Sequence, residues 1–190
     1  MVLSPDWSPW CARELDVSAK DLILDFSAYD LDHVVADLEA IRRYNPQRHE
    51  MEQLTAIVHE TTDDPRICVG YKDVTHEEFW ARGHMPGMPI MPGVIICEAA
   101  AQTCGYYVMK YNLLGAGTMG FGGMDDVRFR DPVLPGSRLV IVAKLLRLRR
   151  GVMSVCRFQA FVERSLVCEG QIKGIRLPDD LLPCGGKSSE

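Results

Sequence analysis

One segment near the middle of the chain restricts the possible folds more than any other. Residues 94–111 read VIICEAAAQTCGYYVMKY, with apolar or small residues on nearly every side of a helix of about five turns. A helix that is apolar all round is buried, so the rest of the chain must surround it. The sequence from residue 118 to residue 177 is strand-like. A sheet formed by these residues can therefore surround the helix.

Strands and helices are segregated along the chain, which favours the α+β class with an antiparallel sheet wrapped around one long buried helix. Apolar spacing predicts a first helix over residues 32–44, capped by Asp32. Strands are predicted at 54–59, 66–71, 118–130, 138–149, 152–163 and 166–177, with a Pro/Gly-rich loop at 83–93.

The same patterns predict the organisation of the chain. Residues 1–44 are interpreted as an N-terminal extension with one helix, in which Trp7 and Trp10 could lay an arm along the body. Residues 45–177 form the main domain, and residues 178–190 are predicted to be a loose tail.

Composition excludes several classes of protein. The chain has 190 residues, of which 47% are hydrophobic and 25% charged, as in an ordinary globular domain. No apolar run approaches the roughly 18 residues of a membrane span, and no signal peptide is recognisable. The net charge of −5 gives no global attraction to nucleic acid.

The cysteines and histidines do not form metal-binding patterns. The seven cysteines are odd in number and contain no CxxC pair, and the five histidines contain no HxxxH pair. We therefore expect reduced thiols in a cytosolic protein and no structural zinc site.

The candidate chemistry lies in residues 83–102, GHMPGMPIMPGVIICEAAAQ. Pro92 and Gly93 stand where the buried helix begins, and the first backbone N–H groups of a helix have no internal partner. A glycine there lets a ligand approach, so Gly93 is a candidate donor to an anion or a developing oxyanion. The alternative is an ordinary Pro-Gly helix start.

Glu98 follows within the first two turns of this apolar helix. A buried carboxylate is costly unless it is paired or protonated, and a protonated carboxyl can act as a general acid. The alternative is a glutamate whose carboxyl reaches solvent or a neighbouring backbone group.

His84 lies in the Pro/Gly-rich loop, and imidazole is the side chain best suited to proton abstraction near neutral pH. A single loop histidine is more often a surface residue. Base, oxyanion donor and acid nevertheless fall within one loop and the helix that follows. That combination suits proton abstraction beside a thioester or another carbonyl, with loss of a β-substituent.

The segment resembles the active-site signature of the β-hydroxyacyl-acyl-carrier-protein dehydratases, G-H-F-P-G-x-P-I-M-P-G-V-L-x-x-E-A-x-A-Q, which have the hot-dog fold. Residues 125–136, DDVRFRDPVLPG, are similar to a strand and turn of that family. The resemblance covers about residues 45–177. It implies dehydration of a 3-hydroxyacyl thioester on acyl carrier protein to the trans-2-enoyl thioester, in fatty acid biosynthesis, without metal or organic cofactor.

Residue roles follow from this resemblance by position. It implies that His84 removes the α-proton and that Glu98 helps the β-hydroxyl leave as water. The backbone N–H of Gly93 would donate to the thioester carbonyl, and Gln102 would support the site. A related branch that also isomerises the double bond carries Asp at the acid position, so Glu98 favours the simple dehydratase.

Further expectations concern the surroundings of the site. Val94 and Met85, which replaces the usual Phe after the histidine, are expected to contact substrate. The family's Arg-Tyr-Pro-Phe segment is replaced here by Arg48 and residues 49–51, which affects the acyl tunnel and hence chain length.

The resemblance also implies an assembly. We expect a homodimer in which His84 of one chain meets Glu98 of the other, and three such dimers in a hexamer. Arg128 and Arg130 are candidates for docking the acidic carrier protein, and the alternative is that these basic residues are only solvated strand faces. A hot-dog acyl thioesterase and a non-catalytic acyl- or carrier-binding protein are the competing functions.

Overall fold

The computed structural model describes residues 21–115 and 117–178. The predicted arm with Trp7 and Trp10 and nearly all of the predicted tail lie outside these residues. The helices and strands, in chain order, are α1 (Leu38–Arg42), β1 (Ala56–Glu60), β2 (Ile67–Asp73), α2 (Gly93–Lys110), β3 (Met119–Phe129), β4 (Arg138–Arg149), β5 (Met153–Val162) and β6 (Ser165–Arg176). Short 3₁₀ turns lie at Phe26–Ala28 and His49–Met51.

The six strands form one antiparallel sheet in the order β1-β2-β4-β5-β6-β3. One face of this sheet contacts α2 through strands β2 to β6. Most of α2 is buried on all sides, from Ile96 through Val108, apart from the half-buried Glu98. The predicted α+β class, with an antiparallel sheet wrapped around a central helix, is confirmed.

The other face of the sheet is covered by the extension. Apolar residues of five strands, among them Val69, Val142 and Phe161, form a second core against residues 22–31. The Gln159 side chain fixes this segment, since its carbonyl accepts from Ile23 N–H (2.8 Å) and its NH₂ donates to the Asp21 carbonyl (3.1 Å).

The first predicted helix is wrong in extent. It spans Leu38–Arg42 instead of residues 32–44, and Asp37 rather than Asp32 caps it by accepting from Ala40 N–H at 2.8 Å. The physical reason lies just before the helix, where the N–H groups of Val35 and Ala36 both donate to the carbonyl of Ile57. This bridge to β1 fixes the backbone in an extended form.

Strand β3 is one edge of the sheet, and its side chains are largely exposed. It carries three large apolar residues that are about half exposed, namely Phe121, Met124 and Phe129. Exposed apolar side chains on an unpaired sheet edge are typical of a surface that another chain covers. Of the helices in the described ranges, none is long and apolar enough to cross a membrane.

Candidate active site

His84 lies in the loop between β2 and α2 and is exposed in the single chain. Its Nδ1 lies 2.9 Å from the carbonyl oxygen of Ile90. A carbonyl can only accept, so Nδ1 carries a hydrogen and, in the neutral imidazole, Nε2 keeps its lone pair. The loop therefore holds the imidazole in the tautomer that a general base requires.

Glu98 lies in the second turn of α2 and is half-buried. Two side-chain amides donate to the same oxygen, Oε1, from Gln47 Nε2 at 3.1 Å and from Gln102 Nε2 at 2.8 Å. The carboxyl is therefore hydrogen-bonded, as a buried acid requires. The second oxygen, Oε2, is left to act on a ligand.

Gln102 lies one turn after Glu98 and is buried. Its Nε2 also donates to the carbonyl of Met51 (2.6 Å), and its Oε1 accepts from Gln53 N–H (2.9 Å). These bonds connect α2 to Met51, the last residue of the segment that departs from the family pattern, and to Gln53 just beyond it. Both residues support Gln102 through backbone groups.

Gly93 is the first residue of α2, after Pro92 as the cap. A Cβ placed on Gly93 would lie 2.6 Å from Cε1 of the Phe129 ring. The Phe129 ring thus packs closely over Gly93, and a side chain at this position would push the ring aside, a contact that the sequence did not reveal. The position of Gly93 in the first turn of α2 is also the one predicted for an oxyanion donor.

The two halves of the site line different clefts. His84 lies in an open cleft together with Gly93, Val94 and Phe129. Glu98 lies in a second cleft whose remaining walls come from the segment after α1, from α2 and from the start of β3, namely Tyr44, Asn45, Pro46, Gln47, Ala101, Gln102, Gly105, Met109, Thr118, Met119 and Phe121. A single chain therefore does not bring His84 and Glu98 into one cleft.

The remaining predicted residues differ in whether they line the His84 cleft. Val94 is 67% exposed and lines the His84 cleft. Met85 is exposed but is not among the residues that line that cleft. Arg128 is exposed, with no ion-pair partner in the described ranges, whereas Arg130 pairs with Glu169 and lines the His84 cleft.

One ion pair lies beside Gln47 and Gln102, which hold the acid. Arg42 donates two hydrogen bonds to Glu52, and they lower the pKa of that carboxyl below its ordinary value. In residues 21–115 and 117–178, no three His, Cys, Asp or Glu side chains converge as metal ligands.

Sequence reasoning missed Gln47 and Phe129 as parts of the two half-sites. Gln47 directly precedes the segment that departs from the family pattern, and Phe129 stands inside the family-like DDVRFRDP stretch. The sequence therefore indicated the regions that contain these two residues. It did not show the contacts of Gln47 with Glu98 and of Phe129 with Gly93, because each contact joins residues that are 36 or more positions apart.

Comparison with known proteins identifies the class. The sequence model of the FabA-like domain matches residues 45–171, and the chain belongs to this family. A 3-hydroxyacyl-[acyl-carrier-protein] dehydratase FabZ from Syntrophobacter fumaroxidans is 41% identical over 139 residues, which are 72% of this chain and 90% of that protein.

A second relative is longer. The bifunctional enzyme LpxC/FabZ of Chlorobaculum tepidum is 41% identical over 143 residues, which are 73% of this chain but 29% of that protein. The chain thus spans less than a third of the bifunctional enzyme.

Solved structures confirm the hot-dog fold at low sequence identity. The dehydratase heterocomplex ApeI:P from Xenorhabdus doucetiae gives a TM-score of 0.61 at 16% identity, covering 74% of this chain and 92% of that chain. Cj0977, a sigma28-regulated virulence protein from Campylobacter jejuni, gives 0.55 at 16% identity, covering 72% and 95%.

Proposed function

We propose that this protein is a 3-hydroxyacyl-[acyl-carrier-protein] dehydratase, a hydro-lyase of fatty acid biosynthesis. It removes water from the 3-hydroxyacyl thioester to give the trans-2-enoyl thioester. The observation that carries this proposal is the pair of half-sites in a FabA-like domain. One presents an imidazole with Nε2 free, and the other presents a carboxyl whose Oε1 receives two amide N–H groups.

The geometry supports an acid–base mechanism. His84 Nε2 takes the proton from the α-carbon, and that C–H electron pair forms the new double bond. Negative charge that develops on the thioester oxygen is stabilised by the N–H groups of Gly93 and Val94 at the start of α2. Glu98 gives its proton to the 3-hydroxyl oxygen, which leaves with the C–O electron pair as water. Proton return from the imidazolium to Glu98 through solvent completes the cycle, and this chemistry requires no cofactor.

The site is proposed to form between two chains. In β3, Phe121 lies near the beginning of the strand, by the Glu98 cleft, and Phe129 lies at its end, by the His84 cleft. Antiparallel pairing of two such edges about a two-fold axis brings the end of one strand beside the beginning of the other. A homodimer built this way supplies His84 from one chain and Glu98 from its partner. A hexamer of three such dimers is a further part of the proposal.

The carrier protein and the compartment complete the proposal. Acidic acyl carrier protein is expected to dock by the His84 cleft, near Arg130 in the wall of that cleft and Arg128 at the end of β3. A cytoplasmic location fits the five described cysteines, which are all free and buried: Cys68, Cys97, Cys104, Cys156 and Cys168.

The test is incubation with 3-hydroxyacyl carrier proteins of several chain lengths, with products identified by mass. We expect a product that is lighter by one water and that absorbs as a conjugated enoyl thioester. Release of free thiol without an enoyl product would instead identify a hot-dog thioesterase. Binding of acyl carrier protein without turnover would identify a non-catalytic protein.

A further inference from the structure

Gln47 places an amide beside the proposed acid. It follows α1 in the chain, and its Nε2 donates to Glu98 Oε1 at 3.1 Å. The carbonyl end of the same amide, Oε1, is buried and has no hydrogen-bond partner in the described residues. An unpaired buried acceptor costs about 1–3 kcal/mol, so the fold alone does not explain this side chain.

The other glutamines nearby make different contacts. Gln102 uses both ends of its amide within the protein. Gln53 also leaves its carbonyl oxygen unpaired, but it donates to the Glu50 carbonyl and is not a wall residue of the Glu98 cleft. Among the wall residues of that cleft, Gln47 alone has a buried side-chain atom without a partner in residues 21–115 and 117–178.

The proposed reaction needs an acceptor at this place. When the acid gives its proton to the 3-hydroxyl oxygen, the hydrogen already on that oxygen must point to an acceptor. Oε1 of Glu98 already receives two amide N–H groups, and Oε2 carries the proton that is donated. Gln47 Oε1 is the unpaired acceptor of an amide whose other end contacts Glu98, and both residues line the same cleft.

We propose that Gln47 recognises the 3-hydroxyl group of the substrate, accepting its hydrogen at Oε1 while Nε2 holds Glu98 in place. This assignment rests on the proposed dehydratase function. Gln47 would then select hydroxylated over saturated acyl thioesters and would hold the departing water.

Binding without turnover tests the proposal. In a His84→Ala background, which removes the base and leaves the Glu98 cleft intact, we would measure Kd for 3-hydroxyhexanoyl and hexanoyl N-acetylcysteamine thioesters by calorimetry. Adding Gln47→Met should weaken hydroxyacyl binding by about threefold to tenfold, as expected for one neutral hydrogen bond. Hexanoyl binding should stay within about twofold, because the saturated ligand has no hydroxyl to lose a bond.

Two further variants make the result specific. Gln159→Met removes another buried glutamine by the same substitution, on the sheet face covered by the extension, and should leave the ratio of the two Kd values unchanged. Gln47→Glu keeps an acceptor and loses the N–H, so it should retain the preference for the hydroxyl. In protein that retains His84, the same substitution should lower kcat. This variant also provides a readout if Gln47→Met does not fold.

The outcomes separate the two proposals. An unchanged Kd ratio in folded Gln47→Met, or a lost preference in folded Gln47→Glu, overturns the role of Gln47 and leaves the dehydratase proposal standing. If the His84→Ala protein binds neither ligand while native protein gives no enoyl product, both proposals fail.

Discussion

The two halves of the candidate site are built in opposite ways. The acid half is enclosed, with Glu98 held by Gln47 and Gln102 and with Gln102 bonded in turn to residues 51 and 53. The base half is open, with His84 exposed on a loop and its imidazole held, among the described residues, by one hydrogen bond to the Ile90 carbonyl.

This difference indicates what each chain can supply alone. The acid half is organised by its own chain, because the groups that hold Glu98 all belong to α2 and residues 47–53. In the base half, the Ile90 carbonyl fixes the tautomer of His84, but the cleft is open on the side opposite the imidazole. Its apolar neighbours Val94 and Phe129 are exposed beside it, which is expected if a partner subunit provides the missing side.

The largest effect is expected when the two halves are placed on different chains. His84→Ala and Glu98→Gln should each lower kcat about 10²–10⁴-fold, because each removes one proton-transfer group. When the two variants are unfolded and refolded together, half of the dimers are mixed. Each mixed dimer has one intact site, so about a quarter of all sites should recover activity.

Native mass spectrometry provides the control, since it shows whether mixed dimers have formed. Mixed dimers without recovered activity would mean that His84 and Glu98 act within one chain. The interpretation of two half-sites would then be wrong.

Much of the fold was predictable because its signals are local. The buried helix was predicted at 94–111 and found at Gly93–Lys110, and β4 was predicted with its observed bounds. The first helix was predicted too long because the pattern of Val34, Val35 and Leu38 carries no trace of the bridge to Ile57. Long-range backbone pairing overrode local periodicity there.

The candidate site was predictable only in part. The motif at residues 83–102 predicted that His84, Gly93 and Glu98 belong to one site. Burial of a carboxyl in an apolar helix also predicted that Glu98 has hydrogen-bond partners. The sequence could not show which groups pair with it. Gln47 reaches Glu98 across 51 positions, and the sheet and helix α2 have to form before those residues meet.

The next effect concerns how rigidly the acid half is held. Gln102→Leu leaves Gln53 N–H and the Met51 carbonyl without partners, which should lower the free energy of unfolding by roughly 2–4 kcal/mol. Thr103→Val is the matched control, because Thr103 is buried in the same helix but bonds only to the nearby Ala99 carbonyl. Urea unfolding compares the two variants. Equal losses would show that Gln102 is no special support for the acid half.

The smallest effect is expected from the charged residues at the surface. Arg128 is an exposed cation on β3, one residue before Phe129 of the base half, whereas Arg130 is already paired with Glu169 and should contribute less to the external field. Arg128→Glu should therefore lower kcat/KM on carrier-protein substrates by roughly threefold to tenfold at low salt, and Arg130→Glu by less. Short thioester mimics should be nearly unaffected, and the loss should shrink as salt screens exposed charges.

Arg43→Glu is the control for this last prediction, because Arg43 is an exposed cation at the end of α1, on the side of the acid half. It should leave carrier-protein turnover close to native if docking occurs beside His84. An equal loss from Arg43→Glu would place docking on the acid side or spread it over the whole surface. Equal losses on carrier-protein and short substrates in the Arg128 variant would instead indicate damage to β3.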